Sequence, residues 1–176
     1  MRKIKGFTMI ELLIVIAVLG ILAVAVLAAI NPIEQINRSK DTGSRSDAEQ
    51  LLSAIDRFYT SRGYYPWQNE PNDGNEGALN LSLANIKQLN GVLNNLVTAT
   101  GELKESFRKR IVANDYNTLY LYNRGTQGDS TYACFIPKSK AFLDEAENRC
   151  KAGMPDDFGL DCNALAVGGN YYSCLP

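Results

Sequence analysis

A long apolar run near the amino terminus constrains this chain more than any other feature of its sequence. From Phe7 to Ile30 the only ionisable side chain is Glu11. A helix of about 20 apolar residues is long enough to cross the hydrocarbon core of a bilayer. The run therefore predicts a membrane-spanning helix that carries one carboxylate at membrane depth.

The carboxylate of Glu11 needs a partner, because a charged side chain at membrane depth costs a few kcal/mol or more. No lysine or arginine lies between Glu11 and Arg38, and the nearest cations, Lys3 and Lys5, precede the span. A cation four positions along the helix is therefore absent. We expect the partner of Glu11 to come from outside this helix.

A short basic leader precedes the apolar run. Residues 1–5 read Met-Arg-Lys-Ile-Lys, Gly6 and Phe7 follow, and Glu11 lies four positions further on. This arrangement resembles the class III signal of type IV pilins and the related pseudopilins. The resemblance implies that a membrane-embedded aspartyl peptidase cuts between Gly6 and Phe7 and that the new amine of Phe7 is methylated. It also implies that Glu11 meets the freed amine of a neighbouring subunit.

The proposed processing makes physical sense for the residues involved. Cleavage after Gly6 would create a cation about one helical turn from Glu11. Opposite charges attract more strongly as the local dielectric constant falls. In subunits staggered along an axis, each glutamate could meet the terminus of the next chain, and the pair would set the register of assembly.

Two simpler interpretations explain less of the amino-terminal sequence. A secretory signal peptide has an apolar region of about 7–15 residues and is removed whole, whereas the run here is longer. A simple membrane anchor explains the run but neither Glu11 nor the Gly6–Phe7 junction. The pilin-type interpretation accounts for all three features.

Composition and periodicity divide the chain into four predicted parts. These are a leader (1–6), a transmembrane and assembly helix (7–30), an amphipathic continuation of that helix (31–60) and a globular head (61–176). Apolar residues recur at helical spacing between Ala48 and Tyr59. Pro32 would remove a hydrogen bond from a helix interior and bend it, so it is the predicted weak point. The resemblance implies that half of the long helix is filament core and half is the spine of the head.

The head is predicted to combine helices with a small antiparallel sheet. Helical spacing of apolar residues favours helices over 83–97 and 102–111. Strand patterns follow over 118–122 and 131–136, joined by a turn, and a last strand over 170–175. The predicted fold class is α+β, with a long amino-terminal helix packed on the sheet of the head as in type IV pilins.

The four cysteines all lie in the last quarter of the chain. The chain has no histidine and no Cys-x-x-Cys, so the usual zinc spacings are missing and two disulfides are the favoured interpretation. Cysteines in the middle of neighbouring strands can satisfy the limit of about 7 Å between their Cα atoms. If the last strand pairs with 131–136, Cys134 bonds to Cys174, which leaves Cys150 with Cys162.

Two other segments suggest ligands, and in both the plainer interpretation is favoured. Residues 104–110 concentrate four cations that could contact DNA phosphates, but a solvated helix end suits an otherwise acidic chain better. The Asn/Asp/Glu cluster at 69–77 suggests calcium but does not match the spacing of an EF-hand loop. We predict no metal site and no cofactor.

The sequence also predicts that the protein is not an enzyme. Without histidine, the histidine-based triads are impossible. No Gly-rich phosphate loop of the Walker type occurs. The paired carboxylates Asp156 and Asp157 are adjacent in an irregular segment, which does not define a catalytic cleft.

The predicted function is that of a structural subunit of a type IV pilus-like filament. Its expected partners are copies of itself, a prepilin peptidase/methyltransferase, the pilus assembly platform and the lipid bilayer. Basic residues before the span keep that end cytoplasmic, so the remainder lies outside the cytoplasm and later in a surface filament. The alternatives are a pseudopilin or minor pilin of a type II secretion or DNA-uptake system, and a monomeric membrane-anchored extracellular binding module.

Overall fold

The architecture was obtained as a computed structural model that describes residues 6–29, 31–70, 79, 84–125, 129–156 and 158–176. The chain divides into two compact units, one ending at Ile36 and the other beginning at Asn37. The first unit contains helix α1 (Met9–Ala29) and the start of helix α2 (Pro32–Arg62). The second contains the rest of α2 and the head. The predicted α+β fold, with a long apolar helix followed by helices and a small antiparallel sheet, is confirmed.

The junction between α1 and α2 differs from the predicted continuous helix with a bend at Pro32. The side-chain oxygen of Asn31 accepts a hydrogen bond from the backbone N–H of Glu34 at 3.3 Å. The helical ladder restarts where the Gln35 N–H donates to the Asn31 carbonyl at 3.3 Å. Asparagine is a favoured N-cap, and proline suits the first helical position, where an N–H would have no partner. Pro32 therefore begins a second helix instead of bending one.

One face of α2 forms the base on which the head packs, and its two halves differ in chemistry. The later half buries apolar side chains at helical spacing, namely Ala48, Leu51, Leu52, Ala54, Ile55 and Phe58. The earlier half buries Asp41, Ser44 and Asp47 on the same face. The apolar half forms the main core with the helices and sheet of the head. The polar half needs hydrogen-bond donors from the head, since a buried carboxylate without partners is costly.

Asp41 finds its donors at the start of helix α5 (Lys140–Ala152). Its buried carboxylate accepts hydrogen bonds from the backbone N–H groups of Lys138 at 3.0 Å and Ser139 at 2.7 Å. The Ser139 hydroxyl donates a further bond at 2.6 Å. Ser139 makes no side-chain cap bond within its own helix. Asp41 therefore caps α5 from another helix and ties the two together.

Asp47 is held by two side chains of the head. Arg110 donates two hydrogen bonds to the carboxylate and lies over the ring of Phe107, 5.2 Å from its centroid. The Tyr116 hydroxyl donates to Oδ2 of Asp47 at 2.7 Å. Burial, reinforced by this hydrogen bond and by the charge of Asp47, raises the pKa of Tyr116 above its usual value of about 10.

The larger sheet has three antiparallel strands in the order β1-β2-β5. In chain order the strands are β1 (Leu119–Tyr122), β2 (Tyr132–Phe135), β3 (Ala166–Val167), β4 (Asn170–Tyr171) and β5 (Ser173–Leu175), with β3 and β4 forming a separate pair. Leu119 lies opposite Phe135, and Cys134 lies opposite Cys174. The predicted pairing of the last strand with 131–136 is therefore present.

The helix predicted over 83–97 begins only at Asn90. Helix α3 (Asn90–Asn94) continues into one π-helical turn (Asn95–Ala99), and helix α4 (Glu105–Ile111) follows. Before α3 the backbone pairs with β1 instead, since Ile86 donates to the Leu119 carbonyl at 3.0 Å and Leu121 donates to the Ala84 carbonyl at 2.9 Å. This pairing covers an edge of the sheet that would otherwise expose unpaired backbone groups.

Both disulfides lie in the sheet region of the head. Cys134 is bonded to Cys174 between β2 and β5, and Cys150 at the end of α5 is bonded to Cys162. These are the two pairs derived from the expected strand pairing. The first joins neighbouring strands, and the second closes a short loop after α5.

The loop closed by the second disulfide is anchored by Phe158. This side chain is fully buried, with its ring centroid 4.9 Å from that of Tyr122 and 4.6 Å from that of Tyr132. The Tyr122 hydroxyl donates to the Phe158 carbonyl at 2.7 Å. The loop is thus packed onto a second, smaller core that also contains the Cys134–Cys174 bond.

Replacing the buried cap Asp41→Ala should lower the free energy of unfolding of the head by about 2–4 kcal/mol, because two backbone N–H groups and a hydroxyl lose their acceptor. Urea unfolding of the full chain in detergent, followed by near-UV circular dichroism, measures this loss. Asp56→Ala is the matched control, since Asp56 lies exposed on the same helix, and its effect should stay within about 0.5 kcal/mol. Equal effects of the two changes would refute the role given to Asp41.

The raised pKa of Tyr116 should make stability depend on alkaline pH. The folded state keeps the Tyr116 proton where the unfolded chain loses it, so this stabilisation is present below about pH 10 and is lost as the pH rises toward the folded pKa. Tyr116→Phe should therefore flatten the fall in unfolding free energy above pH 10, by at most about 1.4 kcal/mol per pH unit. Urea titrations from pH 8 upward give both slopes, and identical slopes would contradict the assignment.

Candidate assembly segment

Helix α1 is apolar on all sides and has no core to cover it within its own unit. The large apolar side chains from Phe7 to Leu27 are between 46% and 91% exposed. Residues 9–27 form a helix long and apolar enough to cross a membrane, by length and composition. A helix that is hydrophobic all round is normally buried in lipid or in other protein. The described residues of the first unit therefore leave α1 uncovered.

The Gly6–Phe7 bond lies outside this helix. Both residues precede the first helical residue, Met9, and both are exposed, Phe7 by 82%. No regular hydrogen bonding of the helix would have to be broken to bring this bond into a peptidase site. The leader residues 1–5 lie outside the described residues.

Glu11 takes part in a capping box at the start of α1. The Glu11 N–H donates to Oγ1 of Thr8 at 3.3 Å, and the Thr8 N–H donates back to Oε2 of Glu11 at 2.8 Å. The Thr8 hydroxyl donates a second bond to the same oxygen at 2.7 Å. This reciprocal pattern satisfies backbone groups that every helix start leaves unpaired.

The capping box uses one oxygen of the Glu11 carboxylate. Both bonds from Thr8 end on Oε2, and within the described residues none of the hydrogen bonds ends on Oε1. Hydrogen bonds orient the carboxylate without neutralising its charge. The group is therefore fixed by its own helix while one oxygen stays available for a cation.

The role of Thr8 is detectable in the sequence but was missed there, because only cations were considered as partners of Glu11. The pattern Thr8-Met9-Ile10-Glu11 before an apolar run is a known capping signature. Asn31 before Pro32 is a comparable signal for the start of α2. By contrast, no local pattern marks Asp41 as the cap of a helix that begins about 100 positions later.

The basic run at 104–110 is only partly available for DNA. Arg110 is bound to Asp47, and Arg108 lies 3.8 Å from Glu105. Lys104 and Lys109 are exposed. The structure thus engages two of the four cations, in line with the favoured interpretation as a solvated helix end.

The calcium candidate falls largely outside the described part of the chain, because only residues 69 and 70 of the 69–77 cluster are described. In the described ranges, histidine, cysteine, aspartate and glutamate form no group of three that could hold a metal ion.

Comparisons with known proteins agree with the geometry of α1. A family model for the prokaryotic N-terminal methylation motif matches residues 1–27. The chain is 30% identical over 167 residues to the type IV major pilin protein PilE1 of Neisseria gonorrhoeae, an alignment covering 92% of this chain and 84% of the relative. It is 29% identical over 129 residues to the fimbrial protein EcpC of Eikenella corrodens, covering 73% of this chain and 79% of the relative. No solved structure matches the chain.

The resemblance first suggested by the leader and Glu11 thus extends along almost the whole chain. The pilin-like order of elements, an exposed apolar helix followed by an α+β head, is present as well. The chain belongs to the type IV pilin family.

Proposed function

We propose that the protein is a structural, non-enzymatic subunit of a type IV pilus, made as a membrane precursor and polymerised through α1. The observation that carries this proposal is an apolar helix with every large side chain exposed and one oriented carboxylate near its start. Exposed apolar side chains do not stabilise the isolated chain, and the capping box of α1 does not need the charge of Glu11. Both are useful once neighbouring copies of α1 surround it.

The precursor is cleaved between Gly6 and Phe7, and the freed amine of Phe7 is methylated. This creates a cation close to the start of α1. In a filament, Glu11 of one subunit pairs with the terminal amine of the next. The pair offsets the free-energy cost of burying each charge and fixes the register of neighbouring subunits. The exposure of the Gly6–Phe7 bond and the orientation of Glu11 by Thr8 support this sequence of events.

The proposal assigns the remaining steps to partners. A prepilin peptidase/methyltransferase processes the amino terminus, and an assembly platform in the membrane adds subunits. The lipid bilayer covers α1 until then. The basic leader keeps the amino terminus cytoplasmic, so the head lies on the other face of the membrane and later in a surface filament.

A pseudopilin or minor pilin would share the same amino terminus. The printed names of the relatives favour a pilus subunit, since one is a type IV major pilin protein and another a fimbrial protein. A major subunit should dominate filaments sheared from cells, and a trace amount there would favour the alternative.

Processing predicts a defined amino terminus. When the chain is expressed with an active prepilin peptidase, intact-mass and amino-terminal analysis should find it beginning at Phe7 with one added methyl group. Without the peptidase it should keep its leader. If the leader persisted beside a peptidase that processes a control substrate, cleavage at Gly6 would be wrong and a simple membrane anchor would be favoured.

A charge-specific substitution separates the two roles of Glu11. Glu11→Gln keeps an oxygen that can accept the bonds of Thr8 but removes the charge. Because losing one partner of a buried ion pair costs about 3–5 kcal/mol, filament yield should fall at least tenfold while the amount of subunit in the membrane is unchanged. Quantitative immunoblots of sheared filaments and membranes measure both.

The matched control is Glu34→Gln in the first turn of α2, which removes the same charge near another helix start. It should leave filament yield close to that of the unchanged chain. Normal filaments from Glu11→Gln would show that the carboxylate serves as a cap alone.

A further inference from the structure

Four cations lie where α2 meets the start of α5. Arg38 and Lys40 belong to α2, while Lys138 and Lys140 flank Ser139, and all four side chains are exposed. We propose that this basic cluster binds the anionic headgroups of the membrane that anchors the subunit before assembly. The inference rests on the membrane-anchored state in the proposed function and adds a lipid-binding surface to the head.

Backbone contacts place the four cations around one junction. The Asn37 side-chain amide donates to the Lys138 carbonyl at 3.4 Å, and Asp41 accepts from the Lys138 N–H at 3.0 Å. Asn37 and Asp41 are one turn apart on the same face of α2. At about 100° per residue, Arg38 and Lys40 lie to either side of that face. The cluster therefore surrounds the point at which the connection into α5 crosses α2.

The acids near the junction offset part of this charge. The carboxylate of Asp41 is buried and receives its bonds from N–H and O–H groups instead of cations. In the described ranges, Arg38, Lys40 and Lys138 form no ion pair. Glu34 and Asp144 each lie one turn from a member of the cluster. With Glu34, Asp41 and Asp144 all counted, four cations face three carboxylates, so the junction keeps a net charge of +1.

Lys40 differs from the other members because it also lines a cavity of about 380 Å³ together with Asp115. A carboxylate in the same cavity competes with lipid for this lysine. Lys138 lines a different cavity, of about 640 Å³, whose described lining residues include no carboxylate. We therefore expect the effect of anionic lipid to be larger at Lys138 than at Lys40.

Chain length keeps the cluster close to the membrane. The apolar run ends at Ile30, and Arg38 follows eight residues later. Residues 32–38 are helical and rise about 9 Å, and the two steps before them add at most about 3.8 Å each, so Arg38 lies at most about 17 Å from the end of the run. The headgroup layer extends roughly 5–8 Å beyond the hydrocarbon, and charge acts over about a further 8 Å at physiological ionic strength. Long cationic side chains extend the reach.

The positive charge of the cluster favours an anionic ligand. Each lysine or arginine near an anionic surface contributes about 1 kcal/mol to binding. The backbone N–H groups of Lys138 and Ser139, just before α5, already donate to Asp41 and are not available to a phosphate. Binding therefore depends on the side chains and should weaken with salt.

Lysine acetylation of the full chain in vesicles tests this proposal. The chain is reconstituted in phosphatidylcholine alone or with one third phosphatidylglycerol, and a water-soluble amine reagent labels exposed lysines, which mass spectrometry quantifies. With anionic lipid, labelling of Lys138 and Lys140 should slow about fivefold and recover in 1 M salt, where screening is short-ranged. Lys104, just before α4, and Lys109 on α4 are internal controls, and their labelling should not change.

The other outcomes overturn the proposal in distinguishable ways. Equal labelling in both vesicles would mean that the cluster does not bind headgroups. If Lys138 and Lys140 were labelled slowly in both kinds of vesicle, and more slowly at higher protein density, the cluster would bind a second copy of the chain instead of lipid. If the chain failed to float with vesicles of either composition, membrane anchoring itself would be refuted.

A double substitution checks that the side chains act together. Lys138→Gln with Lys140→Gln keeps the backbone N–H groups that bind Asp41, so the head should stay folded. It should reduce the lipid-dependent protection of Lys40, whereas Lys104→Gln with Lys109→Gln should not. Unchanged protection of Lys40 in the first variant would contradict a shared binding surface.

Discussion

Burial of one face of α2 is the interaction on which the rest of the head depends. The later half of this face supplies apolar side chains that remove surface from water, a strong but non-directional stabilisation. The earlier half supplies two carboxylates whose hydrogen bonds have defined geometry. Asp41 binds donors 97 and 98 positions away in the sequence, and Asp47 binds Arg110 and Tyr116 at separations of 63 and 69. The apolar contacts hold the head on the helix, and the carboxylates determine which segments meet it and where.

The amino-terminal unit is built on the opposite principle, since none of its described residues covers α1. Both helix starts in this unit are capped by residues nearby in sequence, α1 by Thr8 with Glu11 and α2 by Asn31. Local capping suits a helix whose surroundings change from lipid to other subunits, because the helix ends do not rely on either environment. Glu11 serves its own helix through one oxygen, and the pairing proposed above would use its charge.

Sequence patterns predicted the features that depend on neighbouring residues. The apolar span, the strands around Cys134 and Cys174, and the absence of zinc spacings followed from composition and periodicity. The predicted weak point at Pro32 lies next to the break between α1 and α2, although Asn31 was not recognised as the cap of α2. The segment before Asn90 was taken for helix because its apolar spacing fits one. It lies instead along β1, where pairing with a strand edge outweighs weak helical propensity.

By itself, the sequence determined that this chain has a membrane-length apolar helix with one carboxylate near the Gly6–Phe7 junction, and a head with a short antiparallel sheet. These properties follow from residue type and spacing over a few turns or strands. Only the tertiary structure decided that Asp41 caps α5, that Asp47 binds Arg110 and Tyr116, and that Arg38, Lys40, Lys138 and Lys140 surround one junction. Such groupings join residues far apart in the chain, and the local sequence around each member does not encode which distant segment it will meet.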